Sequence, residues 1–210
     1  MTDDLVQGLQ NFKKYHYDEE TGLMPDLAFY GQDPKYFIIS CIDSRCNPGT
    51  IFRAPPGIFL SHKAMGAIVR PYKQGTALSA ALQFALTYNK VETIIVLGHT
   101  NCGAIKALTE DIDDPEITSF VNVVQQAHTR AKECCQGHTE IIKKTEQEAV
   151  LESATNLKAY PSVAQAIDNK NVQIKSWIFD MKTGNLLEHN DKENIFKIIN
   201  TEAPTADNRH

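Results

Sequence analysis

Leu5, Val6, Leu9 and Phe12 recur three to four positions apart, which predicts an amphipathic helix over residues 4–15. The breakers Gly22, Pro25, Gly31 and Pro34 then predict a loop. Residues 36–40 are a short apolar, aromatic and β-branched run, the pattern of a buried strand, and 57–61 predict a second strand. Ala77, Leu78, Ala81, Leu82, Ala85 and Leu86 return to the helical period, predicting a helix over 75–88. Residues 93–97 are the clearest buried strand, with Gly98 as its expected end and a helix starting near Cys102 and Gly103. Further helices are expected at 117–134, 146–157 and 161–167. A strand at 172–179 is followed by a turn at 182–185 and a partner strand at 186–188.

Strands separated by helices predict an α/β fold with a mostly parallel central sheet flanked by helices. The closing hairpin predicts an antiparallel edge. The first helix has no strand beside it in sequence, so it is expected to pack on a partner subunit. The expected organisation is an N-terminal helical arm over 1–30, one α/β domain over 31–200 and a frayed tail over 201–210.

Composition narrows the function classes. The chain has 210 residues, 42% of them hydrophobic, with a formal net charge of −5. Such a chain buries a core without staples, and its acidity offers no attraction to nucleic acid or anionic membrane. The first residues carry acids where a signal peptide needs bases, and no apolar run approaches a membrane span. Five cysteines cannot all pair internally, and their spacing lacks the density of a secreted scaffold. The expected setting is reducing and cytoplasmic.

Two stretches concentrate the chemistry. Cys41-Ile42-Asp43-Ser44-Arg45 follows one predicted strand and His99-Thr100-Asn101-Cys102-Gly103 follows another. Ligands in parallel α/β sheets bind at the carboxyl ends of strands. If the two strands are neighbours, Cys41, His99 and Cys102 converge. Two thiolates and an imidazole suit zinc. Taken singly, each residue also fits a plainer role, a small buried hydrophobe for a Cys or a solvated strand end for a His. Other cysteine chemistries fit less well. Only three residues separate Cys41 from Arg45, too few for a phosphatase-type loop. Neither a Cys-x-x-Cys pair nor a phosphate-binding fingerprint is present.

Cys-x-Asp-x-Arg followed by His-x-x-Cys-Gly resembles the β-class carbonic anhydrases. The likeness continues through residues 32–36, 97–99, 103–104, 156–161, 177–180 and 183–184, about residues 30–190 in all. It implies a zinc enzyme interconverting carbon dioxide and bicarbonate, with Cys41, His99 and Cys102 as ligands. Asp43 and Arg45 would be a catalytic pair, with Asp43 able to take the fourth position in a closed state. Gln32 and the backbone amide of Gly103 would meet the substrate. A homodimer or dimer of dimers is implied as well. The sequence departs from the family at 63–67, where Lys-Ala-Met-Gly-Ala replaces the usual Arg-Asn-x-Gly/Ala-Asn, and at Leu60, where plant-type members carry an aromatic residue.

The chemistry follows from the residues. Zinc lowers the pKa of bound water to about 7, making hydroxide available near neutrality. Asp43 would orient it, and Arg45, always cationic, would keep Asp43 ionised. Two other readings are hydration of another small cumulene, such as carbon disulfide or carbonyl sulfide, and a non-catalytic zinc protein acting as a sensor. The Asp43–Arg45 pair argues against the last, since a structural zinc site needs no such pair. Cys46 reads as structural, Cys134-Cys135 as a helix-end pair in a surface or interface position, and the scattered histidines as mostly solvated, with a pocket or proton-shuttle role for His62 the minority reading.

Overall fold

The computed structural model describes residues 2–17, 22–73, 76–110 and 112–199. The 201–210 tail lies outside them. The centre is a six-stranded sheet of β1 (Tyr36–Cys41), β2 (Phe59–Ala64), β3 (Thr93–His99), β4 (Gln173–Phe179), β5 (Leu186–Asn190) and β6 (Ile195–Ile198), in the order β2-β1-β3-β4-β5-β6. The first four in that order are parallel, and β5 and β6 run antiparallel to their neighbours. The expected parallel sheet with an antiparallel edge is therefore present.

All seven residues of β3 are buried, as a strand covered on both faces must be. Its alternate residues feed two cores. Ile94 and Val96 join Phe37, Ile39, Leu82, Leu157 and Val163 on one face. Ile95 and Leu97 join Ile38, Ile68, Ile105, Leu108 and Val124 on the other.

The helices are α1 (Asp3–His16), α2 (Leu23–Tyr30), α3 (Pro48–Phe52), α4 (Thr76–Gln83), α5 (Gly103–Thr109), α6 (Pro115–Val121), α7 (Gln125–Cys134), α8 (His138–Lys158) and α9 (Pro161–Asp168). Several depart from the pattern-based expectation. The breaker-rich segment forms α2, because its breakers frame the helix. Gly22 and Gly31 flank it at positive φ, and Pro25 occupies its first turn, where no amide partner is needed. The 117–134 helix divides into α6 and α7 around a 3₁₀ turn, with Asp114 capping α6 through Ile117 N. The 75–88 helix ends in a π-helical turn, Phe84–Tyr88. Helix α8 starts well before residue 146, since its first turns are polar nearly all round and carry little period. Strand β6 was not anticipated.

Gly98 does not end β3 but lies within it. A Cβ there would strike Val150 of α8 and crowd Ile178, so glycine lets α8 lie directly on the strand. Helices α1 and α2 bury none of their residues, and Leu5, Val6, Leu9, Phe29 and Tyr30 are exposed.

Candidate metal centre

From β1 the chain moves outward to β2, then returns to place β3 on the other side of β1. This reversal opens a crevice beyond the carboxyl ends of β1 and β3. Cys41 is the last residue of β1 and His99 the last of β3, so both ligand candidates sit on strands rather than after them. Asn101, in the left-handed region at φ 57°, turns the chain back and delivers Cys102 to the start of α5. Asn tolerates that conformation better than most residues.

Cys41, His99 and Cys102 are all buried, and their ligand atoms lie within 4.8 Å of one another. The two sulfurs are 3.9 Å apart, which at zinc–sulfur bonds of about 2.3 Å corresponds to an angle of about 116°, close to tetrahedral. Nδ1 of His99 bonds to the carbonyl of Thr100 at 2.9 Å, which makes it the proton-bearing nitrogen. Nε2 is left buried without a partner, a bare lone pair inside the cluster. These features fit a zinc ion.

Backbone amides prepare the sulfurs. Gly66 N and Asp43 N donate to Cys41 Sγ at 3.3 and 3.4 Å. The hydrogen bond from Cys102 pulls the Cys41 thiol down to about 4, while Cys102, holding the shared proton, is pushed up. Gly66 has φ 65°, and an added Cβ would crowd Ala104 and Ile68. Stretch 63–67 therefore supports the centre through its backbone despite its altered side chains. Lys63 Nζ also donates to the Cys46 carbonyl at 2.7 Å, bracing the loop that carries Asp43 and Arg45.

Arg45 grips Asp43 with a fork, Nε to Oδ1 at 3.0 Å and Nη2 to Oδ2 at 2.8 Å, and its backbone N adds a third bond at 2.9 Å. The guanidinium holds the Asp43 carboxyl well below the usual carboxylate range. Asp43 Oδ2 lies 3.9 Å from His99 Nε2, so the pair stands at the rim of the cluster.

Gly103 opens α5 beside the centre, with open space where its side chain would be. Gln32 is not brought in. It lies before β1, at the end opposite Cys41, on a cavity of about 360 Å³ with Met24, Leu27 and Pro56. His62 is half-buried on edge strand β2 beside Ile39, outside the cluster, and burial lowers its pKa. Cys46 is buried and its thiol is pushed up to about 11 by that burial.

Glu146 was missed. It is 4% exposed on α8, and its Oε1 accepts Cys102 N at 3.0 Å. Burial pushes its carboxyl up to about 7. Its signal was available: Glu146 lies three and four residues before Ala149 and Val150, so it is an acid in a buried stripe.

A parallel sheet that holds a Cys–His–Cys centre at its switch point, with an Arg-clamped Asp at the rim, defines a metalloenzyme. The family model for carbonic anhydrase matches residues 36–186. Among curated relatives, beta carbonic anhydrase 3 of Arabidopsis thaliana is 30% identical over 190 residues, 86% of this chain and 73% of its own. A carbonic anhydrase of Synechococcus elongatus is 26% identical over 191 residues, 88% of this chain and 70% of its own. In fold, the chain is similar to the β-carbonic anhydrase CcaA, with TM-score 0.83 and 24% identity over 95% of this chain and 92% of that one. It is also similar to a tetrameric β-carbonic anhydrase of Sordaria macrospora, with TM-score 0.79 and 24% identity over 89% and 95% of the two chains. The chain belongs to the carbonic anhydrase family, in its β class, and is an enzyme of that zinc-dependent kind.

Proposed function

We propose that this chain catalyses the reversible hydration of carbon dioxide to bicarbonate. The observation that carries this reading is the Arg45-clamped Asp43 at the rim of the Cys41–His99–Cys102 cluster. Zinc held by these three residues supplies a Lewis acid that makes water nucleophilic near neutral pH. Asp43 is kept ionised by Arg45 and accepts a hydrogen bond from the attacking water, fixing its direction. Both Asp43 oxygens are engaged by Arg45, which keeps the carboxylate from closing the fourth position. The amide of Gly103, in the first turn of α5 and free of an intrahelical partner, would donate to a substrate oxygen.

The same reading includes a homodimer or dimer of dimers. Its support is the uncovered apolar surface of α1 and α2, where Leu5 is 76% and Phe29 82% exposed. Because Gln32 lies at the far end of β1, any contact it makes with substrate would come from a second copy. We also propose a reducing, cytoplasmic setting, supported by five free cysteines.

Stopped-flow hydration of carbon dioxide by zinc-verified protein tests the activity. Rapid turnover that is lost in Asp43→Ala is expected. Turnover of carbon disulfide or carbonyl sulfide in preference to carbon dioxide would move the assignment to those cumulenes, and no turnover of any of them would leave a zinc-binding protein without this activity. Light scattering before and after removal of residues 1–17 tests the assembly, a monomer at micromolar concentration being the contrary result.

A further inference from the structure

A second pair of thiols lies away from the metal centre. Cys134 ends α7, and Cys135 follows in extended backbone at φ −124° and ψ 150°. Their sulfurs are 3.3 Å apart, with Cys134 exposed and Cys135 half-buried. Cys134 Sγ also leans on the Ala131 carbonyl at 3.6 Å, which holds it back along α7. Glu140 and Lys144 of α8 act on Cys135 with opposite charges.

A direct disulfide suits the pair poorly. Neighbouring Cα atoms are about 3.8 Å apart, short of the roughly 4.4–6.8 Å that disulfides usually span. A bridging atom removes this conflict. With sulfur bonds of about 2.3 Å, a separation of 3.3 Å corresponds to an angle of about 92°. Cys41 and Cys102, at 3.9 Å, correspond to about 116°. The wider angle suits tetrahedral zinc. An angle near a right angle suits a trivalent ion with a stereochemically active lone pair, and soft thiol ligands select soft ions.

We propose that Cys134 and Cys135 form a chelating site for trivalent arsenicals, separate from the metal centre. Arsenous acid condenses with both thiols. Two As–O bonds break and two As–S bonds form, each thiol proton leaves with a departing hydroxyl as water, and arsenic stays trivalent. The Cys135 thiol is pushed above its ordinary value by its hydrogen bond with Cys134, so Cys135 holds the proton that its condensation step releases as water.

The test titrates zinc-loaded, full-length protein with arsenite, then alkylates the remaining thiols and maps them. One arsenic per chain is expected, with Cys134 and Cys135 both protected and zinc retained. Cys134→Ser and Cys135→Ser should each weaken arsenite binding by on the order of 100-fold, because the second sulfur otherwise binds intramolecularly at high effective concentration. Both variants should keep their zinc, which also reports that they have folded. Capture of arsenic by Cys41 and Cys102 with release of zinc overturns the proposal. So does unchanged affinity in both serine variants, or a Cys134–Cys135 pair that stays fully alkylatable at saturating arsenite.

Discussion

Cys41 with Cys102 and Cys134 with Cys135 are chemically the same pair of groups, yet the fold makes them different instruments. The first pair is 61 positions apart in sequence and is joined by the register of β1 and β3. It is buried, its sulfurs receive backbone amides, and an imidazole completes it. The second is joined by one peptide bond at a helix end, with Cys134 exposed and Cys135 half-buried. What makes a thiol a zinc ligand here is a rigid, dry surround that sets angle and protonation. Adjacency alone yields a narrower angle and a more accessible site.

The sharpest way to break this contrast is to remove one sulfur from each pair. Cys41→Ser or Cys102→Ser should reduce zinc by metal analysis from about one per chain to a trace and lower the melting temperature, since metal binding and folding are coupled. Cys134→Ser should leave zinc and melting temperature unchanged. Equal zinc loss in both pairs would erase the distinction.

Arg45→Ala separates holding metal from using it. Carbon dioxide hydration should fall by on the order of 100-fold or more, as for loss of a preorganised charged group, while zinc is retained. The freed Asp43 can then close the fourth position, and stopped-flow assay beside metal analysis reads both outcomes.

Glu146→Ala tests whether the dry surround matters. Leaving Cys102 N buried and unpartnered should cost about 1–3 kcal/mol by denaturant unfolding, and Glu146→Gln should recover most of it by restoring an acceptor.

The smallest effect lies on the far side of α8. Burial works to raise the pKa of Glu148, but hydrogen bonds from Lys144 and Arg130 outweigh it and the net shift is downward. A depressed carboxylate contributes stability above its unfolded pKa and loses it as pH falls through the folded value. Glu148→Gln should therefore cost up to about 1 kcal/mol at pH 7, and the difference should vanish in acid below the ordinary carboxylate range. A difference that grows toward acid would reverse the sign argued here.

Much of this was legible in the chain. The strands at 36–40 and 93–97 were visible because a strand covered on both faces must be apolar throughout, and each strand runs on to end at a ligand residue, Cys41 and His99. The helix at 4–15 was visible by its period, although the fold leaves its apolar stripe uncovered. Helix α2 was hidden because Gly22, Pro25 and Gly31 read as interruptions, when the glycines are its boundaries and Pro25 lies in its first turn. Gly98 read as a strand end because nothing local reveals that α8 passes over it. Glu146 stood out in the chain only as an acid within a buried stripe of α8, and its role was not legible because its partner, Cys102 N, is 44 positions away.

The amino-acid sequence by itself determined the residue types of the centre, the strands that carry them and the ionisable pair beside it. These are local matters, set by burial period and side-chain chemistry. The tertiary structure alone decided the sulfur–sulfur distance, the nitrogen of His99 left for a metal, the amides of Gly66 and Asp43 on Cys41, and the absence of Gln32 from its own chain's centre. Each depends on the distance between residues that only sheet register and helix packing bring together, and one chain's periodicity carries no record of that distance.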